Sequence, residues 1–238
     1  MLATVLFAAG SLMAADPKDD ITSAAKSLAD AGNYSWTQNV VNADGSAGFG
    51  GGTSEGKTKG DLIYVTRSFN DNTIEILVKG TNSAMNNGQD GWQTAAELAQ
   101  NDNGGGGFRR NPARFVRTPV SMVEDLLKDV QEIKQTGDAY AADLTEEGAK
   151  NQAQPFGRGR RNGGGGGFTP PPVTDAKGSV RFWIKDGKLS RYEIKVQGKT
   201  TNRDGDPVDI DRTTTIEIKD VGTTKINVPD DILKKISS

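Results

Sequence analysis

Residues Gly51–Thr58 (GGTSEGKT) fit the phosphate-binding pattern G-x-x-x-x-G-K-T. That chemistry needs a strand before the loop and a helix after it, because amides at the helix N-terminus face the phosphates. The flanks do not supply this. Lys59 and Gly60 intervene, and Asp61–Phe69 (DLIYVTRSF) then alternates as a strand. The stretch reads as part of a Gly- and Ser-rich surface loop over Ala43–Gly60.

Thr200–Asp211 (TTNRDGDPVDID) partly follows a calcium loop, with Asn202, Asp204, Gly205 and Asp211 at suitable positions. Thr200 stands at the first ligand position, however, and Asp211 where a bidentate Glu is usual. No helical pattern flanks it, so an Asp-Gly hairpin connection is the stronger reading and no metal is expected.

A third group is cationic. Arg109, Arg110, Arg114 and Arg117 follow one glycine run, and Arg158, Arg160 and Arg161 precede another, with Phe108, Phe115, Phe156 and Phe168 interleaved. Arg/Gly/Phe composition suits polyanions. The formal charge is only −2, so no global field calls for nucleic acid. The two runs read as solvated insertion loops at about 101–117 and 154–177. Arg109, Arg110, Arg158, Arg160 and Arg161 are their candidates for contact with a glycan, a polyanion or an envelope protein.

The chain has no Cys and no His, which excludes thiol nucleophiles, disulfides, thiolate metal sites and Ser-His-Asp triads. The adjacent carboxylates Glu146-Glu147 and Asp230-Asp231 open helical turns, where the helix dipole explains them without acid–base chemistry. No catalytic residue, cofactor or metal is predicted, and the chain is not expected to be an enzyme.

The first residues address a compartment. Leu2–Met13 is apolar and uncharged, Ala14 and Ala15 follow, and the chain turns polar at Asp16. This resembles a signal peptide over 1–15, and the run is too short to span a bilayer. The expected location is the periplasm or cell envelope, without a lipid anchor at that site because no Cys follows it.

The remaining elements come from periodicity. Asp19–Ala31 predicts an amphipathic helix with Ile21, Ala24, Ala25 and Leu28 on one face, capped by Asp19 or Asp20 and ended at Gly32. Asn33–Val41 is a strand with Tyr34, Trp36 and Val40 together. Asp61–Phe69 and Thr73–Lys79 form a hairpin. Thr94-Ala-Ala-Glu97 is a capping box, and Thr118-Pro119 opens a helix whose stripe runs from Val120 through Val123, Leu126, Leu127 and Val130 to Ile133. After a strand at Gly137–Thr145, a meander closes the chain at Gly178–Val228. Its apolar positions are Val180, Phe182, Ile184; Tyr192, Ile194, Val196; Ile216, Ile218; and Ile226, Val228. About seven or eight strands and two or three helices result, grouped and not alternating. The class is α+β, one domain over 16–238, with an antiparallel sheet whose single apolar face the helices cover.

This order, with Gly91-Trp92 before the short helix, AYAADLTEEGAK, FWIKDGKLSRYEIKV and TTTIEIKDVGTTKINVP, is similar to the LolA-like superfamily of lipoprotein and lipid carriers, which includes the LppX- and LprG-type proteins. The resemblance covers most of 19–236 and rests on the W-I-x-D-G-x-L-x-R hairpin and the closing V-P. It implies a strongly curved half-barrel with helices on the concave side and an apolar cavity between them. The two Arg/Gly insertions are not features of that family. Tyr34, Trp36, Tyr64, Phe182, Tyr192 and Ile194 are the expected cavity residues, faced by Val123 and Leu127 of the long helix. The function this implies is binding of a lipid or a lipoprotein acyl chain. The alternatives are a dry core with no pocket, and an envelope interaction module working through the arginine loops.

Overall fold

Eleven strands pair antiparallel into one open sheet, in the order β6-β5-β4-β3-β2-β1-β11-β10-β9-β8-β7. The structure is a computed structural model that describes residues 16–45, 52–69, 72–100, 112–154, 171–202 and 204–237. The strands are β1 (Asn33–Asn42), β2 (Gly52–Lys59), β3 (Leu62–Phe69), β4 (Asn72–Lys79), β5 (Asn82–Asn86), β6 (Trp92–Thr94), β7 (Lys134–Thr136), β8 (Ala139–Asp143), β9 (Thr174–Lys185), β10 (Lys188–Thr201) and β11 (Pro207–Lys219). The helices are α1 (Pro17–Asp30), α2 (Ala95–Gln100), α3 (Pro119–Asp129), α4 (Glu146–Ala153) and α5 (Asp230–Lys235), with a 3₁₀ turn at Pro112–Phe115. Every neighbouring pair is consecutive in the chain except β1 and β11, whose pairing joins the two halves at the centre of the sheet.

Local chemistry accounts for the helices. Asp16 caps α1, its carboxylate accepting from the Lys18 amide at 2.9 Å, with Pro17 in the first turn. The cap therefore lies ahead of the expected Asp19 or Asp20. Gly32, at φ +74°, ends the helix where a side chain would be strained. Thr118 caps α3 through the Ser121 amide, with Pro119 at its start. The helix stops at Asp129, short of the expected Ile133, because Val130 is extended and bridges Leu144.

Three expectations are corrected. The stretch taken for a loop is in part strand β2, held between β1 and β3. That also removes the phosphate-loop geometry, since Gly56-Lys57-Thr58 run along a strand and open no helix. Strand β2 lacks large apolar residues because a neighbour supplies them: the Trp36 indole lies on Gly56, where a Cβ would fall 2.0 Å from Cζ2. Next, Ile226 and Val228 form no strand; the chain from 224 to 229 is irregular and leads into α5. Finally, helices lie on both sides of the sheet. Helices α1, α3 and α4 pack with Phe182, Tyr192 and Ile216 on one side, and α2 and the 3₁₀ turn pack with Ile76 and Met85 on that same side. Helix α5 packs on the other, with Ile232 and Ile236 against Leu77 and Ala84. We call these the α3 face and the α5 face.

Candidate functional site

Strand register assembles the α3 face. One cross-strand row runs Tyr140, Phe182, Tyr192, Ile216, Gln38, Ser54 and Arg67. A second carries Ile218, Trp36, Gly56, Val65 and Ile76. Alternation on each strand places side chains two apart on one face, so these rows and their i+2 neighbours share the α3 face.

The expected cavity residues Tyr34, Trp36, Phe182, Tyr192 and Ile194 meet Val123 and Leu127 of α3 in one buried cluster. Phe182, Tyr192 and Val123 are 0% exposed, and Tyr34 and Trp36 are 3% exposed. Phe182 and Tyr192 pack with ring centroids 6.2 Å apart, and Tyr34 and Trp36 at 5.8 Å. Helix α3 packs beside α1 and α4, and its side chains Val123, Leu126 and Leu127 share the cluster with the strand residues. Tyr192 reaches the start of α3, its hydroxyl donating to the Pro119 carbonyl at 3.5 Å. Burial pushes the Tyr34 phenol up to about 12, against an opposing hydrogen bond with Thr118. Burial also raises Tyr192 well above the usual tyrosine range, with Arg117 opposing and Tyr34 adding to it. Both hydroxyls are therefore neutral across physiological pH and can serve only as dipolar hydrogen-bond groups. Nearby, the Tyr140 hydroxyl donates to Asp20 Oδ2 at 2.8 Å, pinning the first turns of α1 to β8.

Tyr64 does not join them. It pairs in register with Lys57 and Leu77 and lies on the α5 face, where its hydroxyl donates to Glu75 and Asn86 donates to the same carboxylate at 2.7 Å. Burial first, then Glu75, raise its pKa. Its neighbour Val65 holds the α3 face instead, opposite Gly56 and Ile76. Arg109, Arg110, Arg158, Arg160 and Arg161 lie outside the described residues.

Periodicity reading passed over the polar part of the row. Gln38 falls in the stripe Tyr34, Trp36, Val40, and Arg67 in the stripe Ile63, Val65. A polar residue interrupting an apolar face was a signal available in the sequence. Gln38, Ser54 and Arg67 are half-buried, and burial lowers the Arg67 pKa. A second arginine on this face, Arg212, donates to the Gln152 carbonyl in the last turn of α4, where a cation complements the helix dipole.

Two open, largely polar hollows adjoin the edge of this cluster, reaching Leu144 and Ala176 in one case and Ala142 and Val180 in the other. One of about 780 Å³ is lined by Gln131, Asp143, Lys177, Lys195 and Gln197, and one of about 400 Å³ by Gln131, Lys134, Ser179 and Arg181. Neither is apolar in the way the aromatic cluster is. Between β10 and β11 the Asn202 carboxamide oxygen accepts from the amides of Asp204 (2.9 Å) and Asp206 (2.8 Å). Among the described residues no group of three or more acidic side chains is placed to hold a metal, and no helix is long and apolar enough to cross a membrane.

No protein-family model matches the chain, and a search of curated proteins finds no significant match.

Proposed function

We propose that the protein is an exported, non-enzymatic carrier of an apolar chain, a lipid or the acyl part of a lipoprotein, held between its sheet and helices α1 and α3. In this reading the sheet curves into a half-barrel of the LolA-like kind with the α3 face concave, and residues 1–15 direct export.

The carrying observation is the aromatic layer between α3 and the sheet. Tyr34, Phe182 and Tyr192 form one buried cluster with Val123 and Leu127 of α3, and where such side chains can turn an acyl chain can take their volume. An apolar guest gains about 25 cal/mol for each Å² withdrawn from water, so the site needs few polar anchors. Without a guest the cluster is closed, and access requires α3 to part from the sheet. The open sheet also supports this reading. Among the described residues β6 and β7 end the sheet, and it does not close on itself.

The test is direct. Protein purified from its native host is extracted with organic solvent and the extract analysed by mass spectrometry; delipidated protein is then titrated with a fluorescent fatty acid. Copurifying lipid and saturable uptake are expected. A clean extract together with no uptake removes the proposal.

A further inference from the structure

The two polar hollows adjoin one another. Gln131, Asp143 and Ser179 line both, so Ser179 stands where they meet in one open groove. Alternation along β9 turns Lys177, Ser179 and Arg181 to the α5 face, away from Val180 and Phe182 of the aromatic cluster. Register then sets the neighbours of Ser179. Asp143 of β8 lies opposite on one side and Lys195 of β10 on the other, with Cβ atoms about 5 Å away. Lys177 and Arg181 stand two residues to either side, about 7 Å along the strand. A serine hydroxyl is thus ringed by three cations and one carboxylate, and all five residues line the groove.

The groups nearest Ser179 are available. Among the described residues the Lys177 and Arg181 side chains make no hydrogen bond or ion pair, and neither does the Asp143 carboxylate. Lys195 is held only loosely, 4.0 Å from Asp211. The carboxylates farther out have partners of their own. Glu193 bonds Arg191 at 2.9 Å, Glu146 bonds Lys150 at 2.5 Å, and Asp211 accepts from the Gln197 amide at 2.7 Å. Asp175 stands 4.0 Å from Lys199.

This chemistry selects a ligand. Three cations around a hydroxyl suit an oxyanion. Asp143 repels an oxyanion and accepts from hydroxyl donors instead, as does the carboxamide oxygen of Gln131. The larger hollow is about 780 Å³ and has no aromatic wall, so an inorganic ion leaves most of it unfilled and an acyl chain finds little to pack on. A hydroxylated molecule that carries one oxyanion meets both requirements. We infer that the groove binds an acidic sugar, its carboxylate or phosphate held by Lys177, Arg181 and Lys195 at the Ser179 hydroxyl, and its ring hydroxyls donating to Asp143 and Gln131. The site lies across the sheet from the aromatic layer and does not depend on the carrier reading.

Isotope-labelled full-length protein is titrated at low ionic strength with glucuronate, glucose 6-phosphate, glucose and inorganic phosphate, and its amide shifts are followed. Both acidic sugars are expected to saturate, with shifts centred on residues 177–181, and to bind at least about fivefold tighter than glucose or inorganic phosphate. Lys177→Met combined with Arg181→Met should remove the margin over glucose. Asp143→Asn should remove the margin over inorganic phosphate. Added salt should weaken the acidic sugars and spare glucose. Tighter binding of glucuronate assigns a carboxylate, and of glucose 6-phosphate a phosphate. Glucose binding as well as the acidic sugars, inorganic phosphate binding as well as either, an unchanged margin in the double variant, or no saturable shift overturns the inference. The three substituted residues are exposed, so the variants should fold. Should one not fold, the wild-type ranking decides alone. Lipid extraction and uptake are read separately, so failure here leaves the carrier reading untouched.

Discussion

The two ends of the sheet are built differently. Among the described residues, the strands from β9 to β11 are covered on the α3 face alone, and the opposite face carries exposed and half-buried side chains. There Arg191 stacks with its guanidinium carbon 4.7 Å from the Trp183 ring centroid and bonds Glu193 at 2.9 Å. From β3 to β6 both faces are covered. Ile76, Val78 and Met85 pack with Leu98 of α2 on one side, and Leu77 and Ala84 pack with Ile232 and Ile236 on the other. A strand buried on both faces has little freedom to move, whereas a strand backed only by water can adjust as the helices above it shift. The two-sided end is thus a buttress, and the one-sided end is where the proposed carrier would receive its guest.

Core truncations give the largest test of this division. Phe182→Ala at the one-sided end should cost about 3–5 kcal/mol and Leu77→Ala at the two-sided end about 2–5 kcal/mol in urea denaturation, since both are 0% exposed. Trp183→Ala, on the open face, should cost about 1 kcal/mol or less. A loss for Trp183 as large as that for Phe182 would mean that the outer face of β9 is packed and not solvated.

Alkaline titration sharpens the contrast by a smaller amount. Burial raises Tyr34 from the ordinary 10.0 to about 12 and holds Tyr192 well above the usual tyrosine range. A phenol whose folded pKa lies above its unfolded value lends its full stability below the unfolded pKa. That stability drains away as pH climbs toward the folded value. Tyr34 alone should cost about 2 kcal/mol between pH 10 and 12. Tyr64, on the α5 face, contributes with the same sign. Stability measured against pH from 9 to 12 should flatten most in a Tyr34→Phe, Tyr192→Phe double variant. An unchanged slope would show that these hydroxyls reach water.

The same asymmetry explains what could be read from the sequence. Where one face is wet, alternation is visible: Val180, Phe182 and then Tyr192, Ile194, Val196 were assignable because Arg181, Glu193 and Lys195 separate them. Where both faces are dry, alternation vanishes. LIYV at 62–65 carries apolar side chains in both directions, and nothing local says whether Tyr64 or Val65 looks toward α3. Caps were legible because they are short-range: Thr118-Pro119 and Thr94-x-x-Glu97 both stand as their spacing suggested. Strand β2 was not legible, because its apolar cover is the indole of Trp36 in another strand. The aromatic cluster could be anticipated residue by residue. The row that leads from it to Arg67 depends on registers across strands far apart in the chain, and no local pattern encodes those.

The smallest effect probes how the two-sided end is tied together. The Glu97 carboxylate accepts from the Thr94 amide at 2.7 Å, and its other oxygen accepts from Lys235 at 3.0 Å, while the Glu97 amide donates to the Thr94 hydroxyl at 3.2 Å. One side chain thus closes the N-terminus of α2 and reaches around strand β6 to α5 on the opposite face. The Thr94 amide, and then Lys235, hold its pKa below the ordinary carboxylate value. A depressed folded pKa means the stabilisation is present above the unfolded pKa, near 4.5, and is lost as pH falls through the folded value. The side chain is 42% exposed, so screening holds the gain to about 0.5 kcal/mol or less, smaller still in high salt. Thr94→Ala should cost about 1 kcal/mol at neutral pH through the lost cap. Glu97→Gln should shallow the fall in urea stability below pH 4.5 while leaving Phe182→Ala just as damaging, because the two sites share no partner. If Glu97→Gln leaves the acid limb unchanged, the polar tie contributes nothing, and α5 is held to the sheet by Ile232 and Ile236 alone.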